Sequence, residues 1–233
     1  MADRDALSEV EQLTAELLDR YEEINLLYDI GGALAGVFDV GAIGRTVVDR
    51  AVTVIRAQGG LFLRLEPETH GVSYRRGVLP EGLLEALAPG GELLRRALAA
   101  PVLIANPEGG AAPLLLVRVQ QGKQVFGLLA LAGKTDGGSF TAGDGRLLQA
   151  LGTQAATAIH TEHLVRELKE SERLRSQLEI ARQLQRSLLP AASPAIPGLE
   201  IVAACQPAGH VGGDYFDFFP RPDGRLGLVI ADV

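Results

Sequence analysis

Residues 113–132 read PLLLVRVQQGKQVFGLLALA, two apolar runs of strand length separated by Gln121-Gly122-Lys123. A tight glycine-bearing turn between two such runs predicts a β-hairpin, with strands over Pro113–Gln120 and Gln124–Ala132. Hairpin-joined strands pair antiparallel, so the sheet that contains them is expected to be antiparallel. Neither run approaches the ~18–20 apolar residues that a membrane-spanning helix needs.

Upstream, helix and strand signals alternate. Ile43–Arg56 has helical periodicity, and Gly59–Glu66 (GGLFLRLE) alternates apolar with polar residues like a half-buried strand. Val72–Gly77 reads as a second short strand. Glu92–Ala100 reads as a short helix stopped by Pro101, with a further strand over Val102–Ala105. The fold class implied is α+β: an antiparallel sheet flanked by helices. Ahead of it, Leu7, Val10, Thr14, Leu17, Tyr21, Ile24 and Tyr28 recur at spacings of 3 and 4, the pattern of a helix over residues 1–28.

Downstream, Thr141 is placed as an N-cap, and no proline follows Asp144 until Pro190. About 45 helical residues at 1.5 Å each make a rod on the order of 65 Å. Its start is apolar (Leu147, Leu148, Leu151, Ala155, Ala158, Ile159) and is expected to pack on the preceding domain. From Glu162 the helix is charged, with opposite-charge pairs such as Glu162–Arg166 and Arg175–Glu179 at helical spacing. Leu164, Leu168, Ser171, Leu174, Leu178, Ala181, Gln185 and Leu188 form a narrow seam, with an irregular step at 171–174. A narrow seam on a charged helix calls for a partner helix, so a two-chain coiled coil and a homodimer are expected. The proline-rich stretch LLPAASPAIPGL (188–199) reads as a linker. Glu200–Ala204 and Arg225–Asp232 read as strands flanking a Gly-Gly-Asp turn.

Composition narrows the function classes. The 233 residues carry 22 Lys and Arg against 29 Asp and Glu, a formal charge of −7. Such a surface does not attract nucleic-acid phosphates or anionic membranes, and 5% aromatics with no Trp offers little base stacking. The single cysteine, Cys205, rules out an internal disulfide and suits a reducing compartment. The acidic start MADRDALSEVEQL lacks a secretory apolar core. The expected location is cytoplasmic.

Two resemblances sharpen this picture. YEEINLLYDIGGALAGVFDVGAIGRTVVDRAV, QGKQVFGLLALAGK and SFTAGDGRLLQALGTQAATAIH together resemble the opening helices, closing hairpin and final helix of a GAF domain. ARQLQRSLLP (181–190), PGLEIVAACQPAGHVGGDYFDFF (197–219) and LGLVIADV (226–233) resemble the entry to the PPM-type serine/threonine phosphatase domain of the SpoIIE/RsbU branch. The domain organisation implied is an N-terminal helix (1–28), a GAF-like sensor (29–160), a helical coiled-coil linker (161–190) and the first strands of a PPM α/β sandwich (191–233).

The second resemblance implies a two-metal enzyme using manganese or magnesium. Hard cations take carboxylate oxygens, and a bridging carboxylate sets two ions ~3.5–4 Å apart. Asp214 and Asp232 occupy the family's two early ligand positions, joined by the backbone carbonyl of Val233. Gly212 and Gly213 let the main chain turn closely there, and Asp217 is an accessory candidate. The family's later aspartates do not occur in these 233 residues, so no complete catalytic set is present and this chain alone is expected to be inactive. The implied partner is a phosphoprotein regulator of the STAS, anti-anti-sigma type. The alternative is a non-catalytic dimeric GAF module binding a small-molecule signal.

Within the sensor, the cyclic-nucleotide signature Asn-Lys…Phe-x-x-x-Asp-Glu survives only as Lys134, Phe140 and Asp144, with Gly133 and Gly145 replacing the Asn and Glu. A structural Lys134–Asp144 salt bridge is expected instead. Cys205 lies outside the sensor, which disfavours bilin attachment. His160 and His163 read as a solvated helical face, and His210 reads as a plain loop residue.

Overall fold

The computed structural model describes residues 29–37, 39–65, 70–105, 112–207, 209 and 211–232. The expected N-terminal helix over 1–28, His210 and Val233 lie outside the described residues. The chain divides into two units, Met1–Leu164 and Val165–Val233.

In the first unit, residues 29–34 are helical and lead to α1 (Val40–Val54), β1 (Ala57–Leu65) and β2 (His70–Gly77). The short helices α2 (Leu83–Ala86) and α3 (Glu92–Ala99) follow, then β3 (Val102–Ala105), β4 (Leu114–Gln121) and β5 (Gln124–Lys134). The five strands form one sheet of order β2-β1-β5-β4-β3, with every neighbouring pair antiparallel. Strand pairing runs to Gln121↔Gln124, so the hairpin turn shrinks to Gly122-Lys123. Gly122 takes φ +58° at the first central position, the conformation a type II′ turn asks of glycine.

The apolar runs of β4 and β5 are continuous because both faces of the sheet are covered. On one face, Phe62, Leu115, Val117, Leu129 and Leu131 pack with Ile43, Val47 and Ala51 of α1 and with Leu148, Leu151, Ala155 and Ile159. The latter four belong to α4 (Ala142–Leu188), a helix of 47 residues. On the other face, Leu61, Leu63, Leu116 and Leu128 pack with Leu83, Leu87, Leu94 and Ala97 around α2 and α3. Alternate residues therefore enter different cores, which removes the polar alternation of a one-sided strand.

Helix α1 sits close because Gly44 faces Phe62. A Cβ there would lie 2.4 Å from the Phe62 ring. Asp39 caps this helix, its carboxylate accepting from the Ala42 N–H at 2.7 Å.

The second unit holds the rest of α4 and an antiparallel ribbon of β6 (Tyr215–Pro220) and β7 (Leu226–Ala231). The strand expected over Glu200–Ala204 is not formed; those residues have no regular secondary structure. The strand that forms is Tyr215–Pro220, because a nearby partner closes on it. The turn between them is held by Arg221 N–H donating to the Arg225 carbonyl at 2.8 Å and by Gly224 at φ +78°. Phe216, Phe218, Leu228 and Ile230 share one face by register, and Leu228 and Ile230 are largely exposed on it.

Gly44→Ala should cost about 1–3 kcal/mol, since the added methyl overpacks a filled core. Gly32→Ala, in open space within a helix, should leave stability unchanged or raise it by up to about 1 kcal/mol. Urea unfolding of both variants checks the contrast.

Candidate functional site

Lys134 ends β5 and Asp144 lies in the first turn of α4, where the chain returns to the sheet. The Lys134 ammonium is 3.1 Å from Asp144 Oδ2 and 3.3 Å from Oδ1, and both side chains are largely buried. Thr141 and Asp144 close a reciprocal cap. The Thr141 N–H donates to Asp144 Oδ2 at 2.8 Å, and the Asp144 N–H donates to Thr141 Oγ1 at 3.2 Å. The expected salt bridge is thus present, and it serves to anchor the helix. Burial pushes the Asp144 carboxyl upward, but the Thr141 and Lys134 hydrogen bonds outweigh it and hold the group below its usual range.

His160 and His163 are half-buried against Phe126, with ring centroids 6.2 and 5.5 Å away. The expected solvated face is therefore an aromatic packing contact, which the sequence could not show because Phe126 lies more than thirty residues upstream.

Along α4 the environment changes. Leu148, Leu151, Ala155, Ala156 and Ile159 are in the core, whereas Leu168, Leu174, Leu178 and Ile180 are exposed. The described residues 166–180 are exposed throughout. Ala181 and Gln185, expected on the same seam, are half-buried instead. Gln185 Oε1 accepts from the Gly212 N–H at 3.0 Å, and Gln185 Nε2 donates to the Gly212 carbonyl. Nothing in the spacing of the seam announces this pairing; the one hint is a polar residue at an apolar position.

Asp214 and Asp232 stand one residue beyond the last paired positions of the ribbon, Tyr215↔Ala231. The antiparallel register carries both to the same end of the ribbon. The Gly212-Gly213 turn adjoins them, and Gly212 lies close enough to Pro207 that a Cβ would meet its ring at 3.3 Å. Cys205 Sγ lies 3.9 Å from the Asp214 carbonyl oxygen. Asp217 is engaged within the ribbon: Oδ1 accepts from the Phe218 N–H at 2.7 Å and Oδ2 from the Tyr215 hydroxyl at 3.1 Å. That bond to Asp217 holds the Tyr215 phenol above its usual range. Carboxylates are hard oxygen donors of the kind a divalent cation takes. Among the described residues no group of three or more His, Cys, Asp or Glu gathers to complete a metal site.

A five-stranded antiparallel sheet with helices on both faces, closed by the start of a long helix, defines a small sensor-type domain. The chain belongs to the GAF domain family, whose model matches residues 39–160. The fold is similar to a GAF domain assigned to a sensor histidine kinase from Pseudomonas syringae pv. tomato. That likeness has a TM-score of 0.54 at 22% identity and covers 68% of this chain and 99% of the other. The chain is also 41% identical over 59 residues to Protein IcfG of Synechocystis sp. (strain ATCC 27184 / PCC 6803 / Kazusa). That match takes in 25% of this chain and spans 9% of the relative. No helix among the described residues is long and apolar enough to cross a membrane.

Asp144→Asn should destabilise the first unit by about 2 kcal/mol, through loss of the ion pair and a cap bond. Because the folded carboxyl sits below its unfolded value, its contribution is full above the usual carboxylate range and fades as pH falls through the folded value. Thermal melts of the two proteins should therefore differ at neutral pH and converge in acid.

Proposed function

We propose that this chain is the sensor, linker and first carboxylate-bearing segment of a signal-regulated, metal-dependent protein serine/threonine phosphatase. The substrate class is phosphoserine or phosphothreonine on a STAS-type, anti-anti-sigma regulator. The feature that carries this reading is the order Gly212-Gly213-Asp214 and then Asp232, with the two aspartates one residue beyond the last pair of the β6–β7 ribbon, Tyr215↔Ala231. These residues stand in the order of the PPM entry that the sequence resembles.

Bound manganese or magnesium supplies Lewis-acid polarisation of phosphoryl oxygens and a more acidic water. Asp214 and Asp232 would hold it through their carboxylates, and the two glycines leave the turn free of side chains beside them. Asp217, spent on Tyr215 and Phe218, stiffens the ribbon. The open apolar face of Leu228 and Ile230 supports further covering of this ribbon, since two strands alone are marginally stable.

Signal enters through the GAF domain and travels along α4. The exposed leucines of its middle favour pairing with a second copy, each buried leucine contributing about 1.5–3 kcal/mol. A ligand-driven change in how the two helices pack then biases the segment at their far end.

The test is hydrolysis of a phosphoserine peptide with manganese by the full polypeptide that the natural gene encodes. Asp214→Asn and Asp232→Asn should each lower turnover by about a hundredfold or more, with the GAF domain still folded. Turnover that survives both substitutions, or a gene product with none, would refute the phosphatase reading.

A further inference from the structure

The double hydrogen bond between Gln185 and Gly212 has a consequence for Asp214. A glutamine amide offers an acceptor and a donor at opposite corners of one plane. Here both are spent on a single residue, the N–H and the carbonyl of Gly212, two positions before Asp214. Gly212 is also backed by Pro207, and the Asp214 carbonyl faces Cys205 Sγ. Gln185, Gly212 and Asp214 all belong to the second unit.

We infer that Gln185 is the positioning residue through which α4 sets the backbone of the Gly212-Gly213-Asp214 turn, and with it the stance of Asp214 beside Asp232. The turn has two glycines and no regular secondary structure, so its own preferences do not define it. A side chain that grips both polar groups of one peptide residue fixes position and orientation together. It also reads the helix: one residue of register shift moves the Gln185 Cα by 1.5 Å along the axis and about 100° around it, which breaks both bonds at once. Gln185 leaves the exposed seam for this reason and is unavailable for pairing between copies.

The consequence for metal binding rests on the reading of Asp214 and Asp232 as cation ligands; the grip on the turn does not. Gln185→Met tests both, because it preserves length and helix propensity and removes both hydrogen bonds. In the 233-residue chain, amide hydrogen exchange at Gly212 should accelerate about tenfold or more in the variant, with core amides such as Leu129 unchanged. Exchange at Gly212 equal within about twofold in the two proteins would overturn the inference.

Manganese chloride alone, titrated while the Asp214 and Asp232 amide signals are followed for paramagnetic broadening, separates the two readings. Broadening in the unmodified chain that needs several-fold more manganese in Gln185→Met supports the positioning role. An unchanged midpoint with Gly212 freed overturns it and leaves the ligand assignment standing. No broadening in the unmodified chain shows that these two carboxylates alone do not hold the cation, and Gly212 exchange then decides the inference.

Discussion

Everything in this molecule depends on how the apolar surface of one 47-residue helix is covered. Its first turns are fixed to the sheet by Leu148, Leu151, Ala155 and Ile159, and its start is pinned by Thr141, Asp144 and Lys134. Its end is engaged by Gly212 through Gln185. Between these attachments, Leu168, Leu174 and Leu178 lie bare on a charged rod. A helix with only a narrow apolar stripe cannot cover that stripe itself, so its middle is left open to a partner. The two ends therefore belong to different units.

The covered end is built for rigidity. Sheet faces filled by Leu61, Leu116 and Leu128 on one side and Phe62, Leu115 and Leu129 on the other leave little freedom for the strands that carry Lys134 to α4. The largely buried Lys134–Asp144 ion pair joins sheet and helix, and the Thr141–Asp144 capping box fixes the start of α4. At the other end the turn that bears Asp214 is loose by composition and defined by a side chain of the helix.

The sequence made the strongest local signals legible. The β4–β5 hairpin follows from two apolar runs and one glycine, and the long helix follows from forty-odd residues without proline. The Lys134–Asp144 pair was readable from what survives of a known signature. The second unit was less so. Tyr215–Pro220 forms a strand because Leu226–Ala231 closes on it locally, whereas Glu200–Ala204, equally β-prone, has no strand partner among the described residues. Phe126 beneath His160 and His163, and Gly212 beneath Gln185, are contacts between segments far apart in the chain. Periodicity places a residue on a face of a helix; it does not say what meets that face.

The central claim, that the exposed middle of α4 is a pairing surface between two copies, is tested most directly by disulfide trapping in a Cys205→Ser background. Leu174→Cys should cross-link two chains rapidly under mild oxidation, while Arg173→Cys, on the charged flank, should do so weakly. Equal trapping at the two positions, or no cross-link at Leu174→Cys with a monomer in sedimentation, would contradict the account.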